Sequence, residues 1–108
     1  MGFIDAVLSV FLPDPPEIGP DEDPIFVDVR TRREHERQRV AGAKLIPHSQ
    51  IGTRWPELRK HKSERILVYC TTGSRSKHAT RILRSKGFDQ AENAGGLWGL
   101  KRAGVELE

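Results

Sequence analysis

Cysteine is almost missing from this chain: Cys70 is the only one among 108 residues. No disulfide can form within the chain, and neither a CxxC redox pair nor a cysteine-rich zinc site is available. A lone thiol suits a reducing compartment, so the cytoplasm is the expected location, with the periplasm left open. Aromatic residues make up only 6%. No apolar run approaches the roughly 20 residues that a helical membrane span needs. Lys and Arg are absent from residues 1–29, which carry seven carboxylates: Asp5, Asp14, Glu17, Asp21, Glu22, Asp23 and Asp28. All 18 basic residues therefore fall in the remainder, against eight acidic ones. A basic body favours small oxyanions or acidic proteins as partners, although for most of these side chains a solvated surface is the simpler account. Nucleic acid is not expected, because no aromatic stacking platform or recognised binding motif accompanies the charge. His35, His48, His61 and His78 show no ligand spacing and read as surface residues. No metal site is expected.

What is present describes one soluble domain with one core, at 36% hydrophobic and 31% charged residues. Apolar residues at Phe3, Val7 and Phe11, and at Ile4, Leu8 and Leu12, predict a short helix at the N-terminus. It lacks the basic flank of a signal peptide and is too short to span a bilayer, so it reads as a cap or a docking segment. The Pro-rich acidic stretch at residues 13–24 reads as an extended linker or wrap-around loop. The chain divides into a leader, residues 1–24, and a folded body, residues 25–108, expected to be monomeric.

The body alternates. Strands are predicted at Ile25–Val29, near Lys44–Ile46, at Arg65–Tyr69 and within "DQAEN". A helix follows Thr31, with Glu34 completing a capping box. Another is predicted from about Ser49, with Pro56 in a first turn. A third occupies "SRSKHATRILRSKG", where Ala79, Ile82 and Leu83 share a face and Gly87 ends it. A last helix is opened by Gly95 and Gly96. Strands alternating with helices predict an α/β fold: a mostly parallel sheet with helices on both faces.

Cys70 then stands at the carboxyl end of the strongest strand, where open α/β sheets bind ligands. The loop that follows presents backbone N–H groups near a helix start, an anion cradle. Gly73 permits positive φ, Thr71, Thr72, Ser74 and Ser76 are small, and Arg75 adds a forked cation. The same features lower a thiol's pKa. A strand cysteine is more often an inert small hydrophobe, and small polar residues after a strand are usually only a turn. Cysteine, glycine, arginine and helix start in this order favour the functional reading.

These residues resemble the rhodanese-like sulfurtransferase family. The pattern C-x-x-G-x-R-S appears at Cys70–Ser76. The D-V-R … G-A-x-x-I-P segment appears through Asp28, Val29, Arg30, Gly42, Ala43, Ile46 and Pro47, and N-x-G-G through Asn93, Gly95 and Gly96. The resemblance is strongest to small single-domain members. It implies a Cys70 thiolate that takes sulfur from thiosulfate or a persulfide donor, holds it as a persulfide and passes it to a thiol, to cyanide or to a protein sulfur-relay partner. No cofactor is implied. Asp28 and Arg30 are given supporting roles, with Arg30 bonding Glu34 or the loop backbone as the structural alternative. Two departures stand out. Thr71 replaces the basic residue common after the cysteine, and Leu100 occupies the usual tryptophan position while Trp98 sits two residues earlier, both read as packing residues. Cysteine phosphatases and arsenate reductases, with five residues rather than four between Cys and Arg, rank second. A non-catalytic binding module ranks third.

Overall fold

A computed structural model describes residues 14–108. The apolar helix predicted within residues 3–12 lies outside the described residues. Strands β1 (Ile25–Asp28), β2 (Lys44–Leu45), β3 (Ile66–Cys70) and β4 (Ala91–Gly96) form one sheet in the order β2-β1-β3-β4, with every pairing parallel. Helices α1 (Arg32–Arg37), α2 (Ile51–Arg54), α3 (Ser74–Ser85) and α4 (Leu97–Arg102) connect or cover them.

The central strand β3 is buried at every position, as a strand covered on both faces must be. Alternate side chains divide the core. Val27, Val29, Ile66, Val68, Cys70 and Ala91 pack on one face with Ile51, Leu58, and Ala79 and Leu83 of α3. Leu67, Tyr69 and Ala94 pack on the other with Val40 and Leu100 of α4. This is the α/β architecture predicted, a parallel sheet flanked on both faces. Irregular chain helps to close the second face, where Ile18, Val105 and Leu107 complete the cluster. Arg65 Nη1 donates to the Glu17 carbonyl and to the Glu22 carboxylate, each at 2.9 Å. The described part of the acidic leader therefore wraps the body rather than trailing from it.

Local chemistry accounts for the element ends. Thr31 caps α1, with Thr31 Oγ1 accepting from the Glu34 N–H and Glu34 accepting from the Thr31 N–H. The helix predicted from Ser49 is broken instead: a 3₁₀ turn at His48–Gln50, α2, then a 3₁₀ run at Trp55–His61. Gly52, Pro56 and the lack of a capping side chain at any of the three starts weaken a continuous helix there. Strand β4 runs through Gly95 and Gly96, so the two glycines end a strand rather than open the last helix. Val68 pairs with Asn93 but Tyr69 pairs with Gly95, so β4 carries an extra residue, with Gly95 at φ +83. Asn93 precedes the bulge and, two residues after Ala91, faces the side of the sheet that α3 covers.

Candidate active site

The strand ends at Asp28, Cys70 and Gly96 share the carboxyl edge of the sheet. After Cys70 the chain turns through Gly73, at φ 101, directly into α3. No side chain caps α3, so its first N–H groups are available to negative charge. Cys70 is only 1% exposed. Its Sγ accepts from the Gly73 N–H at 3.0 Å and lies 3.4 Å from Ser76 Oγ. Burial pushes the thiol up. The Ser76 hydroxyl and the N–H groups of Ser76, Gly73 and Thr72 outweigh it, and the net shift is below the ordinary value. Thr71, Thr72 and Ser74 are exposed, while Gly73 and Ser76 are buried.

Two residues of β4 hold this loop. Asn93 Nδ2 donates to the Gly73 carbonyl at 3.1 Å, and Asn93 Oδ1 accepts from Ser76 Oγ at 2.6 Å and from the Gly95 N–H at 3.0 Å. Gly96 has no side chain for a different reason: a Cβ there would collide with the Thr71 carbonyl. The sequence pattern gives Asn93 no role of its own; its contacts show that it ties β4 to the loop.

Arg75 does not reach into open space. Its Nη1 donates to Glu34 Oε1 at 2.8 Å, and its Nη2 donates to Glu34 Oε2 and to Thr71 Oγ1, each at 3.0 Å. Thr71 Oγ1 in turn donates to Glu34 Oε2 at 2.9 Å. The Arg75 guanidinium, with help from the Thr31 and Thr71 donors, holds the Glu34 carboxyl far below the usual carboxylate range despite partial burial. Glu34 raises the Arg75 pKa in return, and the Cys70 sulfur adds to that. Glu34 was read from the sequence only as a capping residue.

Asp28 and Arg30 form a separate buried network. Arg30 donates to Asp28 through its N–H, Nε and Nη2, at 2.9, 3.0 and 2.7 Å, and also to the Gln38 carbonyl. Tyr69 OH donates to Asp28 Oδ2 at 3.0 Å and accepts from the Val40 N–H at 3.0 Å. His35 Nδ1 lies 2.9 Å from the same oxygen. His35 is therefore a half-buried partner of Asp28, not a surface residue. Burial alone would raise the Asp28 carboxyl, but these donors bring it below its ordinary value. Arg30 bonds neither Glu34 nor the loop backbone; with Thr71, Leu97, Trp98 and Lys101 it lines a cavity of about 200 Å³. Trp98 is 54% exposed. It is a rim residue rather than the packing residue expected, because α4 buries Leu100 and turns Trp98 outward. Among the described residues no three His, Cys, Asp or Glu side chains are grouped as a metal site requires. None of their helices is long and apolar enough to cross a membrane.

A thiol held by backbone N–H groups at the open edge of a four-stranded parallel sheet defines the class, and comparison with known proteins gives the family. The rhodanese-like domain profile matches residues 17–102, and the chain belongs to that family. It is 35% identical to the thiosulfate sulfurtransferase PspE of Escherichia coli (strain K12) over 72 residues, covering 67% of this chain and 69% of that protein. It is 30% identical to the tRNA uridine(34) hydroxylase of Enterobacter sp. (strain 638) over 74 residues, 65% of this chain but only 21% of that protein. A solved structure of a rhodanese with anions from E. coli superposes with a TM-score of 0.71 at 29% identity, covering 80% of this chain and 98% of the other.

Proposed function

We propose that this protein is a sulfurtransferase that carries sulfane sulfur on Cys70. The observation that carries the reading is the Cys70 sulfur itself, buried yet supplied with donors from Thr72, Gly73 and Ser76. The thiolate attacks the outer sulfur of thiosulfate. A new S–S bond forms to Cys70, the donor's S–S bond breaks, and sulfite leaves with the bonding electrons. With a hydropersulfide donor the leaving group is the thiolate of that donor. A thiol or cyanide then attacks the outer sulfur of the Cys70 persulfide, and Cys70 departs as thiolate. This is covalent catalysis in two halves, so ping-pong kinetics are expected.

The N–H groups matter more for the adduct than for thiolate supply. A lowered pKa increases the thiolate fraction but reduces intrinsic nucleophilicity, and the two effects largely offset. Fixed donors around a persulfide anion have no such penalty. The name of the E. coli relative, a thiosulfate sulfurtransferase, supports the same reaction class. A reducing compartment, the cytoplasm in this reading, keeps Cys70 as a thiol between turnovers. Asp28 and Arg30 support the end of β1, and the acceptor is a thiol, cyanide or a sulfur-relay protein.

The test is an intact mass spectrum after exposure to thiosulfate or to a hydropersulfide. One added sulfur atom, removable by cyanide or dithiothreitol and absent in Cys70→Ser, is expected. A wild type left unmodified by both donors would end the proposal.

A further inference from the structure

The cation that the loop could offer to an anionic donor is already engaged. Both terminal nitrogens of Arg75 are bonded to the Glu34 carboxylate, and Nη2 is bonded also to Thr71 Oγ1. The carboxylate is anchored from its own side. Oε1 accepts from the Thr31 N–H at 3.0 Å and from Thr31 Oγ1 at 3.1 Å, and Oε2 accepts from Thr71 Oγ1 at 2.9 Å. Five donors fix one carboxylate, so the pair is held in place and is not a wandering surface contact. Its location matters because Thr71 directly follows the nucleophile and Arg75 is near enough to the Cys70 sulfur to feel its charge.

The charges then nearly cancel. Arg75 and Glu34 neutralise one another, so the cation nearest Cys70 carries no net excess; Lys101, which shares a cavity with Thr71, is the further positive charge at this edge. A dianion approaching that sulfur meets repulsion from the thiolate and from Glu34, which takes up the charge of the guanidinium beside it. A singly charged donor meets the same field with half the charge. We infer that Glu34 is a specificity-determining residue, which by neutralising Arg75 beside Cys70 disfavours dianionic donors such as thiosulfate relative to hydropersulfides, which carry at most one negative charge. This rests on the sulfurtransferase reading above.

Glu34→Gln is the informative variant, because glutamine also completes a capping box and still accepts hydrogen bonds while losing the charge. The measurement is the second-order rate of Cys70 persulfide formation in the full chain, followed by intact mass. The donors are thiosulfate and the hydropersulfide of 2-mercaptoethanol. The ratio of thiosulfate to hydropersulfide rates should rise by roughly threefold to tenfold in Glu34→Gln, the range for one added charge interaction in a partly solvated site. The gain should be largest near ~0.01 M ionic strength and shrink by ~0.5 M, since screening acts on charge and not on packing. If Glu34→Gln does not fold, Thr71→Lys must give the same gain, because it cancels the Glu34 charge from an exposed loop position. A ratio within twofold of wild type at low salt overturns the inference, and so does an equal slowing with both donors, which would make Glu34 purely structural. A wild type that takes sulfur from neither donor instead overturns the sulfurtransferase reading, and this inference with it.

Discussion

Ser76 and Asn93 meet through a 2.6 Å hydrogen bond between side chains, and the same Ser76 oxygen lies 3.4 Å from Cys70 Sγ. A serine hydroxyl has one proton. With Cys70 as a thiol, the S–H can point to Ser76 Oγ while the hydroxyl serves Asn93. With Cys70 as thiolate, the hydroxyl turns to the sulfur. Ser76→Ala removes a donor that favours the charged form, so the Cys70 pKa must rise. The pH midpoint of iodoacetamide alkylation should move upward, and alkylation at pH 7 should slow. An unmoved midpoint would assign the lowered pKa to the backbone N–H groups alone.

Gly96→Ala should damage the site while sparing the sheet. The added methyl would strike the Thr71 carbonyl, which is backbone and cannot rotate aside. The loop must shift away from β4, carrying the donors to Cys70 with it. Persulfide formation should fall on the order of tenfold to a hundredfold, the scale of a small misplacement of reacting groups. Far-ultraviolet circular dichroism should stay close to wild type, and normal kinetics in the alanine variant would show that the loop adapts without loss.

Arg75→Ala should act in the opposite direction to Glu34→Gln. It removes the cation and leaves the Glu34 carboxylate unpaired beside the nucleophile. The kcat/KM for thiosulfate should drop by roughly tenfold to a hundredfold, in line with ~1.5–3 kcal/mol for hydrogen bonds to a charged group. Lysine should rescue only part of this, because it lacks the fork that matches both Glu34 oxygens. A rate equal to wild type in Arg75→Ala would show that donor binding makes no use of this charge.

Tyr69→Phe tests the second buried network. The phenol donates to Asp28 and accepts from the Val40 N–H, and both contacts are buried. Phenylalanine keeps the ring in the core and leaves the Val40 N–H without its acceptor. Stability should fall by about 1–3 kcal/mol, read as a lower urea midpoint with an unchanged m-value. The folded variant should still form the Cys70 persulfide, since no member of this network bonds the Cys70 loop. A loss of persulfide formation without a loss of stability would contradict that separation.

What the sequence determined by itself was what near neighbours decide. The apolar run of β3, the three-residue spacing of Thr31 and Glu34, and Gly73 ahead of α3 depend on local periodicity and local backbone geometry. Each is legible along the chain, and together they placed Cys70 at the edge of a parallel sheet. Tertiary structure alone decided which distant side chains meet there. Glu34 reaches Arg75 across 41 residues, and Asn93 reaches Gly73 across 20 from the strand beside β3. His35 lies against Asp28, seven residues back, rather than in solvent, and Trp98 is left outward because Leu100 takes the buried face of α4. Strand order and register set these meetings. Neither leaves a periodic signal in the residues it brings together, so the loop after β3 is legible along the chain and the charges around Cys70 only in the fold.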